Sequence, residues 1–524
     1  MIRFFLTLTL LLVCVTGFAQ KENNNIDSLR KKWHAEVDFA AKSIQENSID
    51  PLRGITQGEW DNGISEIHKK VNNAATRDEY YYALRYFGAL IQDAHVEFPD
   101  EGVYNRNGIF KKTDTIFPIW VKSWPDYRVF AVRDFSNKIP KYSEIISING
   151  VSATKIAFEQ RKLMGSESRY AMYYTSSAYE GDPAAWTSFV NYLFCENIRS
   201  PFVVEYKIPN NDELLTTTLS GLERKEIHKL YKGAEGKDVV KEDRPAYFLF
   251  KFGKNNIAYN RLNDSIGVLQ IKMFLNTGLI KYLFVRDDTN FPKMLEKCFK
   301  QIQEDGIKHL IIDLRDNKGG YRYSANELLA CFTEEKALES ELCKITDDNK
   351  KDLAKYVKST YKIIYDKNHP EVIRSMDIFN SLPPYSLFKT DTLLSMQYTP
   401  KYKGYKYKNN VYLLINSGNY SASILFINLF RNVKLGVIAG ESPGGYNVVS
   451  SGDGIIIDLP FSKIFSMKLP VTLTGTMIPD KYEYLKPDIP IEPTLEEWLY
   501  EKFNSLEVLV NMIKENKIEE NFRQ

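Results

Sequence analysis

The stretch Val411–Gly445 reads VYLLINSGNYSASILFINLFRNVKLGVIAGESPGG. Its first residues, Val411–Ile415, form an apolar run of the length that a buried strand uses. Turn-forming residues follow, and apolar residues recur at helical spacing from Ser421 onward. A second apolar run, Leu435–Ala439, predicts another strand. The pattern therefore places Ser421 where a strand turns sharply into a helix, beside unpaired N–H groups that favour developing negative charge.

A second stretch, Lys308–Tyr321, reads KHLIIDLRDNKGGY. It predicts a buried strand, Leu310–Leu314, that ends in a loop with paired glycines. If the two strands are neighbours in a parallel sheet, both loops lie at the same carboxyl edge, where sites of α/β proteins form. The alternative is structural: Ser421 would be an ordinary N-cap, and the glycine loop an ordinary turn.

Together these stretches resemble the carboxy-terminal processing (tail-specific) serine peptidases, in particular their tricorn-core-like branch. The family's Asp-Leu-Arg-x-Asn-x-Gly-Gly segment is matched at Asp313–Gly320. Its Ser-Ala-Ser run is matched at Ser421–Ser423, and its Gly-Glu-x-x-x-Gly segment at Gly440–Gly445. The resemblance extends roughly from Leu90 to Pro493 and is carried by three motifs in order.

The expected fold combines α/β and β architecture (α+β). Amphipathic helical patterns begin the chain, short strands of a PDZ-like module follow, and the resemblance implies a ClpP/crotonase-like α/β catalytic core. The expected organisation is a signal peptide at 1–19, a helical domain at 24–100, a PDZ-like module at 105–160, a helical bridge with strands at 161–245, the peptidase core at 246–335 and 410–500, an insertion at 336–409 and a C-terminal helix at 501–524. The insertion reads as a surface excursion or as a lid, because long loops are often functional.

The resemblance implies that Ser421 is the nucleophile. The N–H of Ala422 would be one donor of the oxyanion hole, and the N–H of Gly319 or Gly320 the other, since glycine lets the backbone approach a substrate closely. One branch of the family uses a lysine base 25 residues after the serine, but that position is Tyr446 here. A Ser–Lys dyad therefore does not fit.

The tricorn-like branch uses a histidine base instead. His95, in the segment Asp93-Ala94-His95, matches the Asp-x-His pattern that follows an N-terminal helix in the family. The acidic member of the triad is assigned to Glu483, with Asp480 as the alternative. We expect Asp313 and Arg315 to hold their loop in place.

Composition narrows the function. The 524 residues carry a net charge of +2, so the chain lacks the strong positive charge expected of a nucleic-acid-binding protein. After the first 20 residues, no apolar run is long enough to span a membrane. Cysteine and histidine spacing suits no metal site, and no cofactor is expected. Cys331 and Cys343 could pair in an oxidising compartment.

The first residues, MIRFFLTLTLLLVCVTGFAQ, have the charged start, apolar run and small-residue cleavage site of a signal peptide. Lipidation of Cys14 is not expected, because the bulky Val13 precedes it. We expect an exported, periplasmic or extracellular serine peptidase that cleaves peptides or unfolded C-terminal tails. The alternative is a catalytically inactive relative that binds peptides as an envelope scaffold. The PDZ-like stretch, Phe117–Ile156, would capture a peptide as an added strand or, as the alternative, would only position its neighbours.

Overall fold

The computed structural model describes residues 26–52, 54–74, 77–93, 95–96, 98, 115–161, 200–232, 256–275, 290–335, 340–347, 349–351, 353–354, 370–384, 386–390, 399–450, 454–461, 466–475, 484–500 and 502–518. The predicted signal peptide lies outside the described residues, as do Glu483 and Asp480. Within the described part of the chain, no helix combines the length and apolar character needed to cross a membrane.

The described chain begins with three helices and continues with a mixture of strands and helices. The helices are α1 (26–47), α2 (Gln57–Asn73), α3 (Arg77–Ile91), α4 (Ala153–Arg161), α5 (Arg224–Lys232), α6 (Asn290–Glu304), α7 (Arg322–Leu329), α8 (Pro370–Ser381), α9 (Ala422–Asn432), α10 (Leu495–Leu499) and α11 (Ser505–Lys514). The strands are β1 (Thr115–Ile116), β2 (Ile119–Ser123), β3 (Val129–Asp134), β4 (Glu144–Ile148), β5 (Val151–Ser152), β6 (Phe202–Lys207), β7 (Leu215–Leu219), β8 (Leu222–Glu223), β9 (Ile257–Arg261), β10 (Ile266–Ile271), β11 (His309–Asp313), β12 (Ser340–Lys344), β13 (Leu387–Thr390), β14 (Asn410–Ile415), β15 (Val437–Gly440), β16 (Val449–Ser450), β17 (Gly454–Asp458), β18 (Ser466–Pro470), β19 (Thr472–Gly475) and β20 (Ile489–Pro490).

A six-stranded sheet of order β20-β15-β14-β11-β10-β9 contains the strands of the two stretches Lys308–Tyr321 and Val411–Gly445. Its strands run parallel except for β9. Successive side chains of a strand point to opposite faces. Leu310 and Ile312 accordingly pack in the core under α6, α7 and α9, whereas Ile311 packs against α11. Helices on both faces explain why β10, β11 and β14 are so apolar.

The α+β expectation is confirmed, and a second sheet builds the module predicted as PDZ-like. Its order is β2-β3-β4-β6-β7, with β5 paired to β4 and α4 packed on the apolar core of the sheet. The short strands expected in this module at 105–160 include β2, β3 and β4. β6 and β7 belong to the same sheet, although the sequence reading placed them in a separate bridge. Their pairing with β4 depends on register between distant segments, which the local pattern does not encode.

The segment 336–409 is not a simple surface excursion. In its described part, β12 pairs with β13 and with β19, in a four-stranded sheet of order β13-β12-β19-β16. Cys343, Leu353 and Phe379 are buried in one apolar cluster with α1, α2 and α3. This segment therefore packs against the N-terminal helices and also belongs to the sheet that contains β16.

Two further expectations need correction. Cys331 and Cys343 are both buried and form no disulfide, because they lie in different apolar clusters. The helix predicted at 501–524 is α11 (Ser505–Lys514) in the described residues, and the chain before it forms a separate short piece, α10. The first piece, α10, docks on the β2–β3 module, where Lys122 Nζ donates to the carbonyls of Trp498 (3.0 Å) and Leu499 (3.1 Å).

Candidate active site

The loops that follow β11 and β14 form one hydrogen-bonded unit. The parallel pairing continues beyond the strands, where Leu314 N–H donates to Leu414 O (2.9 Å). Asn416 then spans the two loops: its Oδ1 accepts from Asp316 N–H (2.8 Å) and its Nδ2 donates to Asp316 Oδ1 (2.9 Å). Each loop therefore fixes the conformation of the other, as the sequence predicted for neighbouring parallel strands.

The buried side chain of Asn419 holds the second loop in its tight turn. Its Oδ1 accepts from Asn416 N–H (2.7 Å), and its Nδ2 donates to Leu314 O (2.5 Å) and to Ser423 Oγ (2.9 Å). Three polar contacts satisfy a fully buried amide that would be costly to leave unpaired.

A buried ion pair fixes the first loop. Arg315 Nη2 lies 2.7 Å from Asp313 Oδ2, and its Nε donates to Asp313 Oδ1 (2.9 Å). Arg315 Nη1 also donates to Ser505 Oγ at the start of α11 (3.0 Å), and Gln270 Nε2 donates to Asp313 Oδ2 (3.1 Å). Loss of either partner would leave an uncompensated buried charge. The pair thus holds the loop, as expected.

Ser421 has an unusual backbone conformation, with φ +53° and ψ −123°. It occupies the N-cap position of α9, but its side chain makes no capping hydrogen bond. A non-glycine residue in this region costs on the order of 1–3 kcal/mol and persists only when its surroundings impose it. The N-cap alternative therefore does not account for this conformation of the serine.

Gly319 faces Ser421 so closely that no side chain fits between them. A Cβ at position 319 would lie 2.7 Å from Ser421 Cβ and 2.8 Å from Ala422 N. Its φ of +98° also disfavours any other residue. The absence of a side chain at this position keeps open the space beside the Ala422 N–H, where an oxyanion would lie.

The two glycines differ as candidate oxyanion donors. Gly319 N–H already donates to Asn317 Oδ1 (2.8 Å), so the prediction that it donates to substrate is not supported by this geometry. Gly320 lies against Phe274: a Cβ added at position 320 would be 2.7 Å from the carbonyl oxygen of Phe274. Ala422 is the first residue of α9, where backbone N–H groups lack an intrahelical acceptor. Ala422 and Gly320 remain the candidate donors.

His95 is part of a hydrogen-bonded group with Asp93 and Ser450. Ser450 Oγ lies 2.9 Å from His95 Nδ1 and donates to Asp93 Oδ1 (2.8 Å). The carboxylate also accepts from His95 N–H (2.8 Å) and lies 3.4 Å from Nδ1. Because the single hydroxyl proton of Ser450 goes to Asp93, Ser450 Oγ accepts from Nδ1–H. This tautomer leaves Nε2 unprotonated and able to act as a base.

Asp93 is thus the carboxylate that the described residues place beside His95. The sequence reading used Asp93 only as part of a motif and assigned the acid to Glu483 or Asp480, which lie outside the described residues. Ser450 was missed entirely. It lies 355 positions from His95, and no spacing rule could have linked the two.

One short segment, Gly444–Ser450, connects the histidine group to the serine loop. Gly444 N–H donates to Asn419 O (3.2 Å), and Asn428 Nδ2 of α9 donates to Asn447 O (2.8 Å). The same segment ends at Ser450, which contacts His95. The serine, the histidine and its carboxylate are therefore parts of one connected structure.

Glu441 adds a titratable group next to the serine loop. Its Oε2 accepts from Ser417 N–H (3.3 Å). Burial raises the pKa of this carboxyl to about 7, against the opposing effect of the Ser417 hydrogen bonds. Among the described residues, no group of three or more His, Cys, Asp or Glu side chains is arranged to hold a metal ion.

Comparison with known proteins agrees with this geometry. The model of Peptidase family S41 matches residues 265–479, which include both loops and Ser421. This part of the chain therefore resembles an S41 peptidase domain. Family S41 comprises serine-type peptidases, so the match supports a serine peptidase. A search of curated proteins found no significant match.

Solved structures support the same fold for most of the chain. Mature CPAF complexed with lactacystin is similar with a TM-score of 0.58 and 13% identity, over 90% of this chain and 96% of that chain. Mature CPAF alone gives a TM-score of 0.55 and 13% identity, over 90% and 94% of the two chains. A photosystem II D1 C-terminal processing protease matches with a TM-score of 0.37 and 12% identity, over 88% and 94% of the chains. At these identities the first two establish similarity of fold.

The geometry around Gly319 predicts the effect of a single methyl group. In Gly319→Ala the added Cβ would collide with Ser421 and fill the space beside Ala422 N–H. We expect the rate of Ser421 labelling by a fluorophosphonate probe to fall by about 10²–10³, the cost of losing one oxyanion donor. Gly150→Ala is the matched control, because Gly150 also has positive φ but nothing lies within 4 Å of its Cβ position. Equal labelling rates for the two variants would contradict this assignment.

The raised pKa of the Glu441 carboxyl predicts that the stability of the fold depends on pH. Its folded pKa is raised from 4.5 to about 7, so the unfolded chain loses this proton first as pH rises. The free energy of unfolding should therefore fall between about pH 4.5 and pH 7. Relative to Glu441→Gln, the loss should be at most on the order of 3 kcal/mol in urea unfolding. Glu335→Gln, at an exposed position, is the control and should keep the slope of the original protein. An unchanged slope in Glu441→Gln would contradict the assignment.

Proposed function

We propose that this chain is an active peptidase that hydrolyses peptide bonds through an acyl-enzyme on Ser421, with His95 as general base. The observation that carries the proposal is the conformation of Ser421. The serine is held at positive φ between a buried strand and a helix, and its hydroxyl does not cap that helix. A serine that only ended a turn would not need this strain.

The proposed reaction uses the hydroxyl of Ser421, the imidazole of His95 and the N–H groups of Ala422 and Gly320. Ser421 Oγ attacks the carbonyl carbon of the scissile bond while its proton passes to His95 Nε2. The negative charge that develops on the carbonyl oxygen is stabilised by N–H donors at Ala422 and Gly320. The C–N bond then breaks as the imidazolium returns its proton to the leaving amine. Water, deprotonated by His95, attacks the ester and releases the new carboxyl end and Ser421.

Asp93 and Ser450 orient the base in this scheme. The imidazolium carries positive charge during both steps, and the carboxylate of Asp93 stabilises it directly and through the Ser450 hydroxyl. Since Glu483 and Asp480 lie outside the described residues, a further carboxylate from that segment remains part of the prediction.

The substrates we propose are peptides and flexible C-terminal tails. β2 forms the edge of the described sheet of its module, so an extended peptide could pair with its backbone as an added strand. Backbone pairing requires a free, extended segment, which unfolded tails offer and folded domains do not. We further propose, from the leader pattern of residues 1–19, that the protein acts after export, in the periplasm or outside the cell.

The nucleophile is tested by covalent labelling. A fluorophosphonate probe should label the full chain, and Ser421→Ala should abolish labelling while the far-ultraviolet circular dichroism is retained. Ser423→Ala is the matched control, because Ser423 belongs to the same Ser-Ala-Ser run but its hydroxyl accepts from Asn419 inside the protein. Labelling that persists in Ser421→Ala would refute the assignment. A chain that is folded but never labelled would instead favour the inactive, peptide-binding alternative.

The base is tested by the same reaction. His95→Ala should reduce the labelling rate by about 10²–10⁴, the usual contribution of a general base. In the unmodified chain the rate should fall at acidic pH, because an imidazolium cannot accept the serine proton. His68→Ala, on α2, is the control and should label normally. If His95→Ala kept more than about a tenth of the rate, His95 would not be the base.

A further inference from the structure

Tyr446 contacts the turn that carries His95. Its hydroxyl donates to Gln92 Oε1 (2.7 Å), and Gln92 is the first residue after α3. The tyrosine is 4% exposed, and its ring stacks on that of Tyr484 with centroids 4.8 Å apart. Gly54 packs against the same pair, because a Cβ there would lie 3.1 Å from both the hydroxyl and Gln92 Oε1. The Tyr446–Gln92 bond is therefore enclosed by protein on several sides.

The turn that follows α3 is weakly held by its own backbone. Gln92 has φ +55°, a conformation that non-glycine residues rarely adopt. The backbone hydrogen bonds of Gln92 N–H, Asp93 N–H and Val96 N–H are each 3.3 Å long, beyond the usual 2.9–3.0 Å. Local structure alone would leave the direction of the His95 side chain poorly determined.

Side chains from elsewhere in the chain form hydrogen bonds that hold this turn in place. Tyr446 holds Gln92, and Ser450, four positions later, holds Asp93 and His95. The segment that carries both residues is itself bonded to α9 through Asn447. The histidine turn is thus tied at two points to this segment, and the segment is bonded to the helix that begins beside Ser421.

We propose that Tyr446 is a positioning residue that holds the His95 turn in register with Ser421 through Gln92. This inference rests on the proposed function for its effect on rate. A base must lie within hydrogen-bond reach of the serine proton, and a displacement of about 1 Å can cost about 10²-fold in rate. The position that is lysine in the dyad branch thus serves the histidine-containing site indirectly, by fixing its base.

The test compares Tyr446→Phe with Tyr484→Phe in the full-length chain. Both remove one hydroxyl and keep the stacked rings. The two hydroxyls lie 3.3 Å apart, but only that of Tyr446 bonds to Gln92. We expect Tyr446→Phe to lower the maximal rate of fluorophosphonate labelling by about 10- to 100-fold, with half-saturation changed less than about twofold. Backbone amides of residues 92–96 should also exchange hydrogen faster in Tyr446→Phe. Tyr484→Phe should match the original protein in both measurements.

A double-mutant cycle separates positioning from general destabilisation. If Tyr446 acts through Gln92, then Gln92→Met should reproduce the loss of rate, and the double variant should be no slower than either single variant. Additive losses would overturn the proposal, as would a normal maximal rate in Tyr446→Phe. Unchanged hydrogen exchange at 92–96 would overturn it whether or not the protein is active. Absent labelling of the unmodified, folded chain would refute the proposed function alone.

Discussion

The parallel pairing of β11 with β14 is the constraint on which the rest of the site depends. It sets Asp313 opposite Leu414, so that both loops leave the sheet at the same edge. Gly319 then lies directly against Ser421, and the strained conformation of the serine is supported from both sides. A shift of one residue in this register would reverse which side chains face each core and would separate the loops.

Polar groups inside this edge are numerous, and their hydrogen bonds are what make their burial tolerable. Asp313, Arg315, Asn317 and Asn419 are all buried, and each has several partners with good geometry. A network of this kind is costly when it is partly broken and rigid when it is complete. Such rigidity suits a site in which the proposed nucleophile and oxyanion donors must stay aligned within fractions of an ångström.

The histidine side of the site is organised differently. His95 lies on a turn with long backbone hydrogen bonds, and its position depends on side chains more than 350 positions away. The segment 336–409 and the β17–β18 hairpin bury a common apolar cluster with the N-terminal helices, which the turn of His95 follows. Gln92 and Ser421 both have positive φ, and strained backbone of this kind is typical of functional sites.

Local sequence patterns were enough to predict the secondary-structure elements that carry the candidate site. Apolar runs predicted β11 and β14, helical spacing predicted α9, and paired glycines indicated where backbone must approach backbone, because each depends only on neighbouring residues. Tertiary structure alone decided that Gly319 N–H is occupied by Asn317, that Ser450 joins His95 to Asp93, that Tyr446 holds Gln92, and that β6, β7 and β12 complete sheets. These outcomes depend on hydrogen-bond distances between segments far apart in the chain. Such distances are set by packing and register, for which no local pattern of residues carries a signal.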